Sequence, residues 1–250
     1  MWVDLVFLII ILIVVFIVGL RIRAYILRQL AKDGREKALR EWARAKGFAY
    51  SATEALMKFR CQPFDCLQKG DYCYSCNVTE GTSGNRPFRA FDYCYRCESD
   101  SSERGSFLLV LWLMGRDRTD HHFSAVVIEA GIPLKPLSIR PEGFFNRIAE
   151  FVGLEDIDFE SAEFSQRFRV RSPDRRWAYD VVHQKTMELM LAHPGFLVDF
   201  CGSQVMAYYH DRVFSLGDFE SALKVVTGIV DYLPHDVVEE LKEMRSQPGS

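Results

Sequence analysis

The chain lacks the short signatures that announce an enzyme. It holds no G-x-S-x-G nucleophile turn, no G-x-x-x-x-G-K phosphate loop, no H-E-x-x-H metal helix and no G-x-G-x-x-G dinucleotide turn. Seven cysteines among 250 residues are too few for a disulfide scaffold, and their odd number leaves one without a partner. A large charge of one sign is missing too: the net charge is −3, and 48% of the residues are hydrophobic, which excludes a disordered chain. Internal repeats and low-complexity tracts are absent, so solenoids and collagen-like rods are excluded. Apart from the amino terminus nothing positive precedes the first hydrophobic run, and no A-x-A follows it, which argues against a cleaved signal peptide.

What the chain does have is that run. From Leu5 to Leu20 it reads LVFLIIILIVVFIVGL, with no charged or polar side chain. At about 1.5 Å per residue, 16–20 helical residues span roughly 24–30 Å, close to the hydrocarbon thickness of a bilayer. A transmembrane helix over residues 1–23 is therefore expected, with Trp2 at one interface and Arg21 and Arg23 at the other. Residues 21–46 carry nine basic and three acidic side chains, while residues 47–250 carry 22 basic and 30 acidic. The positive flank predicts a single-pass cell-membrane protein, its N-terminus outside and its C-terminal domain cytoplasmic. A basic stretch beside an acidic body suits membrane lipid, and another protein, as partners; nucleic acid is not expected, because the body would repel phosphates.

Residues 24–47 read as a helical stalk weakened at Asp33-Gly34 and capped by Gly47. An α+β domain over 48–245 follows, with a subdivision near 150–160 left open. Asp71–Thr79 and Pro87–Cys97 read as strands joined by a hairpin turn at Gly84-Asn85. Phe107–Met114, Phe123–Glu129, Leu137–Arg140 and Phe164–Arg171 read as further strands. A short helix opens at Pro141-Glu142-Gly143 and uses Phe144, Phe145, Ile148 and Phe151. A long helix starts at Ser172-Pro173-Asp174 and ends at His193-Pro194-Gly195; a hairpin turns about Gly202-Ser203; Asp218 starts an amphipathic helix that Pro234 ends, and an acidic helix follows. Strands in succession with few helices between them predict a mainly antiparallel sheet with packed helices.

The cysteines hold the sharpest chemical pattern. Cys73-x-x-Cys76 and Cys94-x-x-Cys97 have the spacing of a zinc ribbon, so these four are the candidate metal ligands, with zinc as the candidate cofactor. Strand geometry opposes this, because residues three apart point to opposite faces. With the turn at Gly84-Asn85, Cys76 opposes Tyr93 and Ser75 opposes Cys94. Cys73 and Cys94 then share one face, and Cys76 and Cys97 the other. The competing reading is four small apolar residues in a sheet. His121 and His122 diverge on a strand and are expected to cap a surface loop. Weaker candidates are explained locally. The acidic 155–160 stretch lacks the spacing of a calcium loop. His183 and His193 share a helix face without a nucleophile. Arg140-Pro141-Glu142-Gly143 reads as a turn and helix start.

The strings NVTEGTSGNRPFRAFDYCY (77–95), LSIRPEGFFNRI (137–148), DIDFESAEFSQRFRV (156–170) and WAYDVVHQKTMELML (177–191), behind a leading apolar helix, resemble an uncharacterised bacterial family of single-pass membrane-anchored proteins, a domain of unknown function. The resemblance covers most of residues 40–233. It implies an α+β body and supplies no catalytic residue. Two departures stand out: the paired C-x-x-C and the long stretch from Cys97 to His122. The functional expectation is a membrane-anchored, non-catalytic binding or scaffold protein. The alternative is a zinc-binding or redox-sensing protein acting through Cys73, Cys76, Cys94 and Cys97. A deep polar cleft with convergent Asp, Glu or His side chains would overturn the first.

Overall fold

The computed structural model describes residues 2–54, 60–70, 72–96, 120–143 and 156–246. The strand expected at Phe107–Met114, the helix expected around residues 144–151, and Cys97 lie outside the described residues.

Among the described residues eight strands form one sheet in which every neighbouring pair is antiparallel, in the order β1-β2-β3-β4-β8-β7-β5-β6. The strands are β1 (Ala49–Glu54), β2 (Tyr72–Ser83), β3 (Arg86–Arg96), β4 (Asp120–Glu129), β5 (Leu137–Pro141), β6 (Phe168–Arg171), β7 (Leu197–Cys201) and β8 (Gln204–Tyr208). The helices are α1 (Trp2–Lys46), α2 (Ala162–Arg167), α3 (Arg175–Val181), α4 (Gln184–Ala192), α5 (Leu216–Asp231) and α6 (His235–Ser246). The expected α+β class with an antiparallel sheet and packed helices is what forms. Strands on both sides of the 150–160 stretch pair directly, since Ile139 of β5 lies opposite Val170 of β6.

Each face of the sheet buries its own core. On the helix face, Phe88, Ala90, Val126, Ile128, Ala207 and Val198 meet Phe219, Val226 and Ile229 of α5, together with Leu39 of α1. The α5 residues recur every three or four positions, which is what places them on one stripe. Ser215 and Asp218 close that helix with a reciprocal capping box. On the opposite face, Phe91, Tyr93, Tyr95, Phe123 and Met206 are covered by Phe64, Cys66 and Leu67, around a short 3-10 turn at Asp65–Leu67. A sheet covered on both faces explains why β3, β4, β7 and β8 are buried along nearly continuous runs rather than at alternate residues.

Helix α1 corrects the N-terminal expectations. Residues 2–46 form one unbroken helix of 45 residues, about 67 Å long. It passes through Asp33-Gly34 without a break, so the helix expected over 24–47 forms and is continuous with the N-terminal run. Among the described residues no helix is long and apolar enough to cross a membrane. The described apolar side chains run from Val14 to Leu20, about 10 Å of helix, before Arg21 begins the charged part. The transmembrane and single-pass reading of residues 1–23 is thereby overturned. The C-terminal end matches expectation: Gly47 takes φ 73°, its N–H bonds to Arg44 O at 3.2 Å, and Phe48 N–H bonds to Ala43 O at 2.8 Å. That is a complete Schellman closure, and it delivers Phe48 edge-on to Phe88, ring centroids 4.9 Å apart.

Three further expectations change. Phe164–Arg171 does not form one strand: Ser161 caps the short helix α2, and only Phe168–Arg171 is extended. The long helix is split into α3 and α4 at Val182–His183. There His183 accepts from Lys185 N–H through Nδ1 at 3.2 Å and donates from Nε2 to Tyr232 O at 2.8 Å. It is a capping residue rather than an idle surface one. His121 and His122 lie within β4, not in a loop.

Candidate functional site: the thiol–imidazole cluster

A single extra residue in β2 sets the site. The hairpin keeps the expected register from Ser83↔Arg86 to Thr79↔Ala90. It then slips, so that Cys76 lies opposite Asp92, Tyr74 opposite Cys94, and Cys73 opposite Tyr95. Asn77 and Val78 together oppose Phe91, a β-bulge, and Asn77 absorbs the kink at φ 52°. Asparagine is among the few non-glycine residues that adopt this conformation readily.

The slip re-sorts the cysteines. Cys76 turns to the helix face and becomes the diagonal neighbour of Cys94, whereas Cys73 turns to the opposite face and packs against the Tyr93 and Tyr95 cluster. The expected sharing of a face by Cys73 and Cys94 is therefore incorrect. Cys73 and Cys76 of one C-x-x-C are separated by the sheet itself, as strand geometry requires. Among the described residues no three His, Cys, Asp or Glu side chains form a group that could hold a metal ion.

On the helix face Cys94 lies opposite His122 of β4, and its Sγ is 2.9 Å from His122 Nδ1. Cys94 is buried, 4% exposed, while Cys76 is half-buried. A hydrogen bond from Cys76 holds the Cys94 thiol well below the ordinary thiol range, and the His122 bond and charge and a bond from Tyr74 act the same way, against the opposing effect of burial. The bond to Cys94, together with burial, pushes the Cys76 thiol up. Cys61 and Cys66, in the other core, are pushed up by burial: Cys61 to about 11, Cys66 further. Cys94 is thus drawn toward its thiolate form between a thiol and an imidazole, an arrangement that raises nucleophilic character. His121 points to the other face, where it stacks on Tyr95 at 4.8 Å and approaches Asp211 Oδ1 at 3.3 Å.

Beside the thiols lies a buried ionic latch. Asp92, 3% exposed, receives both arms of the Arg35 guanidinium, the Ser124 hydroxyl, and Asn77 Nδ2 at 2.8 Å. Arg35 also donates to Phe214 O from Nη2 at 2.8 Å. It is this residue of α1 that ties the helix to the middle of the sheet. Nothing in the sequence singles out Arg35 among the nine basic residues of its stretch; only the pairing does.

A second buried pair occupies the opposite face. Arg140 donates from Nη2 to Asp199 at 3.0 and 3.1 Å and from Nε to Ser138 at 2.9 Å; Tyr208 donates to Asp199 at 2.9 Å. Arg140 is therefore a core residue on β5, rather than part of a turn device with Pro141-Glu142-Gly143. It lines a cavity of about 20 Å³ with Asp65, Lys69, His210 and Asp211, room for about one water molecule. Its lining mixes charged and aromatic side chains, and it is too small to be the deep cleft of an enzyme.

Fold and site together define an α+β domain with a projecting N-terminal helix and a sheet-borne thiol–imidazole cluster. No family model and no curated protein matches the chain. Among solved structures it is similar to the mycobacterial trehalose monomycolate transport factor A, TtfA, with a TM-score of 0.58 and 11% identity, over 80% of this chain and 94% of that one. At that identity the likeness is one of fold alone.

Proposed function

We propose that the protein is a non-catalytic binding scaffold, its body serving to hold α1 out as a docking element for another polypeptide. The observation that carries this reading is the apolar surface of α1 beyond its attachment to the body. Val15, Phe16, Ile22, Leu27 and Leu30 are 55–67% exposed, although the helix is fastened from Arg35 to Ala43. Ile22, Ile26, Leu27 and Leu30 lie on one helical face, and a contiguous apolar stripe of this length marks an interaction surface. A fold shared with a transport factor suits a transport-associated setting, which we propose as the context of the scaffold.

Site-specific photo-crosslinking in cells tests the reading. A photoreactive residue replacing Phe16 or Leu27 in the full chain should give a discrete crosslink to one polypeptide. The same group at Arg176, 79% exposed by side chain on the body, should not. Equal, diffuse labelling from all three positions would remove the reading.

A further inference from the structure

We propose that Cys94 and Cys76 form a peroxide-oxidisable pair, with Cys94 the attacking sulfur, Cys76 the resolving sulfur, and His122 the group that holds the thiolate. This inference is independent of the scaffold reading, because it rests on the sheet and not on α1.

Three observations converge. The bulge at Asn77-Val78 places Cys76 diagonal to Cys94 on one face, where each thiol acts on the ionisation of the other. His122 Nδ1 sits 2.9 Å from Cys94 Sγ, supplied by the neighbouring strand in direct register. Half-buried Cys76 gives a small oxidant a route to the pair, whereas Cys61 and Cys66 are enclosed in the opposite core. The groups facing the pair are Tyr50, Tyr74, His122 and Asp92 from the sheet and Arg35 from α1.

The chemistry balances with hydrogen peroxide as oxidant. The Cys94 thiolate attacks one peroxide oxygen, the O–O bond breaks, and the departing hydroxide takes the proton of the His122 imidazolium and leaves as water. Cys94 is now a sulfenic acid. The Cys76 sulfur attacks the Cys94 sulfur, the S–O bond breaks, and the oxygen leaves as a second water with the Cys76 proton. Two thiols and one peroxide become one disulfide and two waters; sulfur is oxidised and peroxide is reduced.

Mass spectrometry of the reduced full-length chain, treated with stoichiometric peroxide, tests this. The expected product has lost two hydrogens and maps as a Cys76–Cys94 disulfide, retained in Cys73→Ser. In Cys76→Ser, Cys94 should accumulate as a sulfenic acid trapped by dimedone. In the wild type the oxidation rate should stay flat from about pH 6 to 8. In His122→Gln it should fall about tenfold per pH unit below the raised thiol pKa, as the thiolate fraction falls. A disulfide that maps to Cys73 or Cys201, an unmodified Cys94 in Cys76→Ser, or a His122→Gln profile equal to the wild type would each overturn the proposal. Should His122→Gln not fold, the dimedone adduct in Cys76→Ser decides alone.

Discussion

Replacing Asp92 by alanine should loosen α1 from the body more than any single surface change. Asp92 is 3% exposed and is the common acceptor for Arg35, Ser124 and Asn77. Removing one partner of a fully buried pair costs about 3–5 kcal/mol, because the other charge is left desolvated. Here the Arg35 side chain is 25% exposed and keeps its bond to Phe214 O, so water and that carbonyl offset part of the loss. About 2–3 kcal/mol remains, a large share of the roughly 5–15 kcal/mol that holds a domain folded. Urea unfolding of the full chain should show a lowered midpoint with an unchanged slope. Amide exchange should rise along Arg35–Lys46 before it rises in β3. The double variant R35M/D92L should recover much of the loss, since an apolar pair of similar volume replaces both charges. A change below about 0.5 kcal/mol for Asp92→Ala, the range of an ordinary surface substitution, would refute the assignment of Arg35–Asp92 as the latch.

Two further outcomes follow from the same physics. Asp199→Ala strips Arg140 of its carboxylate where both side chains are under 10% exposed, so thermal unfolding should report a loss of about 3–5 kcal/mol, with Tyr208→Phe costing about 1 kcal/mol. Cys94 has its pKa lowered to about 5 in the folded chain, against about 8.5 for a free thiol. Its thiolate therefore contributes stability that is fully present above pH 8.5 and is lost as the pH falls through 5. Thiolate absorbance at 240 nm should titrate below neutrality in the wild type and move upward in His122→Gln, while the wild-type advantage over Cys94→Ala should shrink from pH 8.5 to 5.

How much of this was legible depends on whether the signal was local. The Gly84-Asn85 and Gly202-Ser203 turns, the Gly47 cap and the start of α5 near Asp218 are dictated by residues within a few positions of one another, and each forms where expected. Edge strand β1 gave no signal, because Ala49–Glu54 is mostly exposed and has no apolar alternation. The split between α3 and α4 escaped notice because a histidine, outside the usual N-cap residues, does the capping, its ring fixed from the other side by Tyr232 O, 49 residues away. The apolar N-terminal run looked decisive by itself, yet its residues continue into the same helix as the charged ones. Burial of Arg140 and Arg35 was illegible for a general reason: a charge in a core is decided by a partner distant in sequence, Asp199 and Asp92 respectively.

The bulge at Asn77-Val78 joins two features that would otherwise look unrelated. Asn77, kinked to φ 52°, donates to Asp92 from Nδ2 and accepts from Tyr50 OH at 2.7 Å, so it is bonded to the latch and to β1 at once. The same kink moves Cys76 onto the face of Cys94 and directly opposite Asp92. A flat β2 would keep the 83↔86 register throughout, leave Asn77 directly opposite Asp92 and send Cys76 opposite Tyr93, to the other core. One residue of excess length thus gathers the thiol pair beside the anchor of α1 within a single patch of sheet. Reading the hairpin as an unbroken ladder therefore mispaired the cysteines, while the anchor was missed for the separate reason that Arg35 finds Asp92 only through the fold.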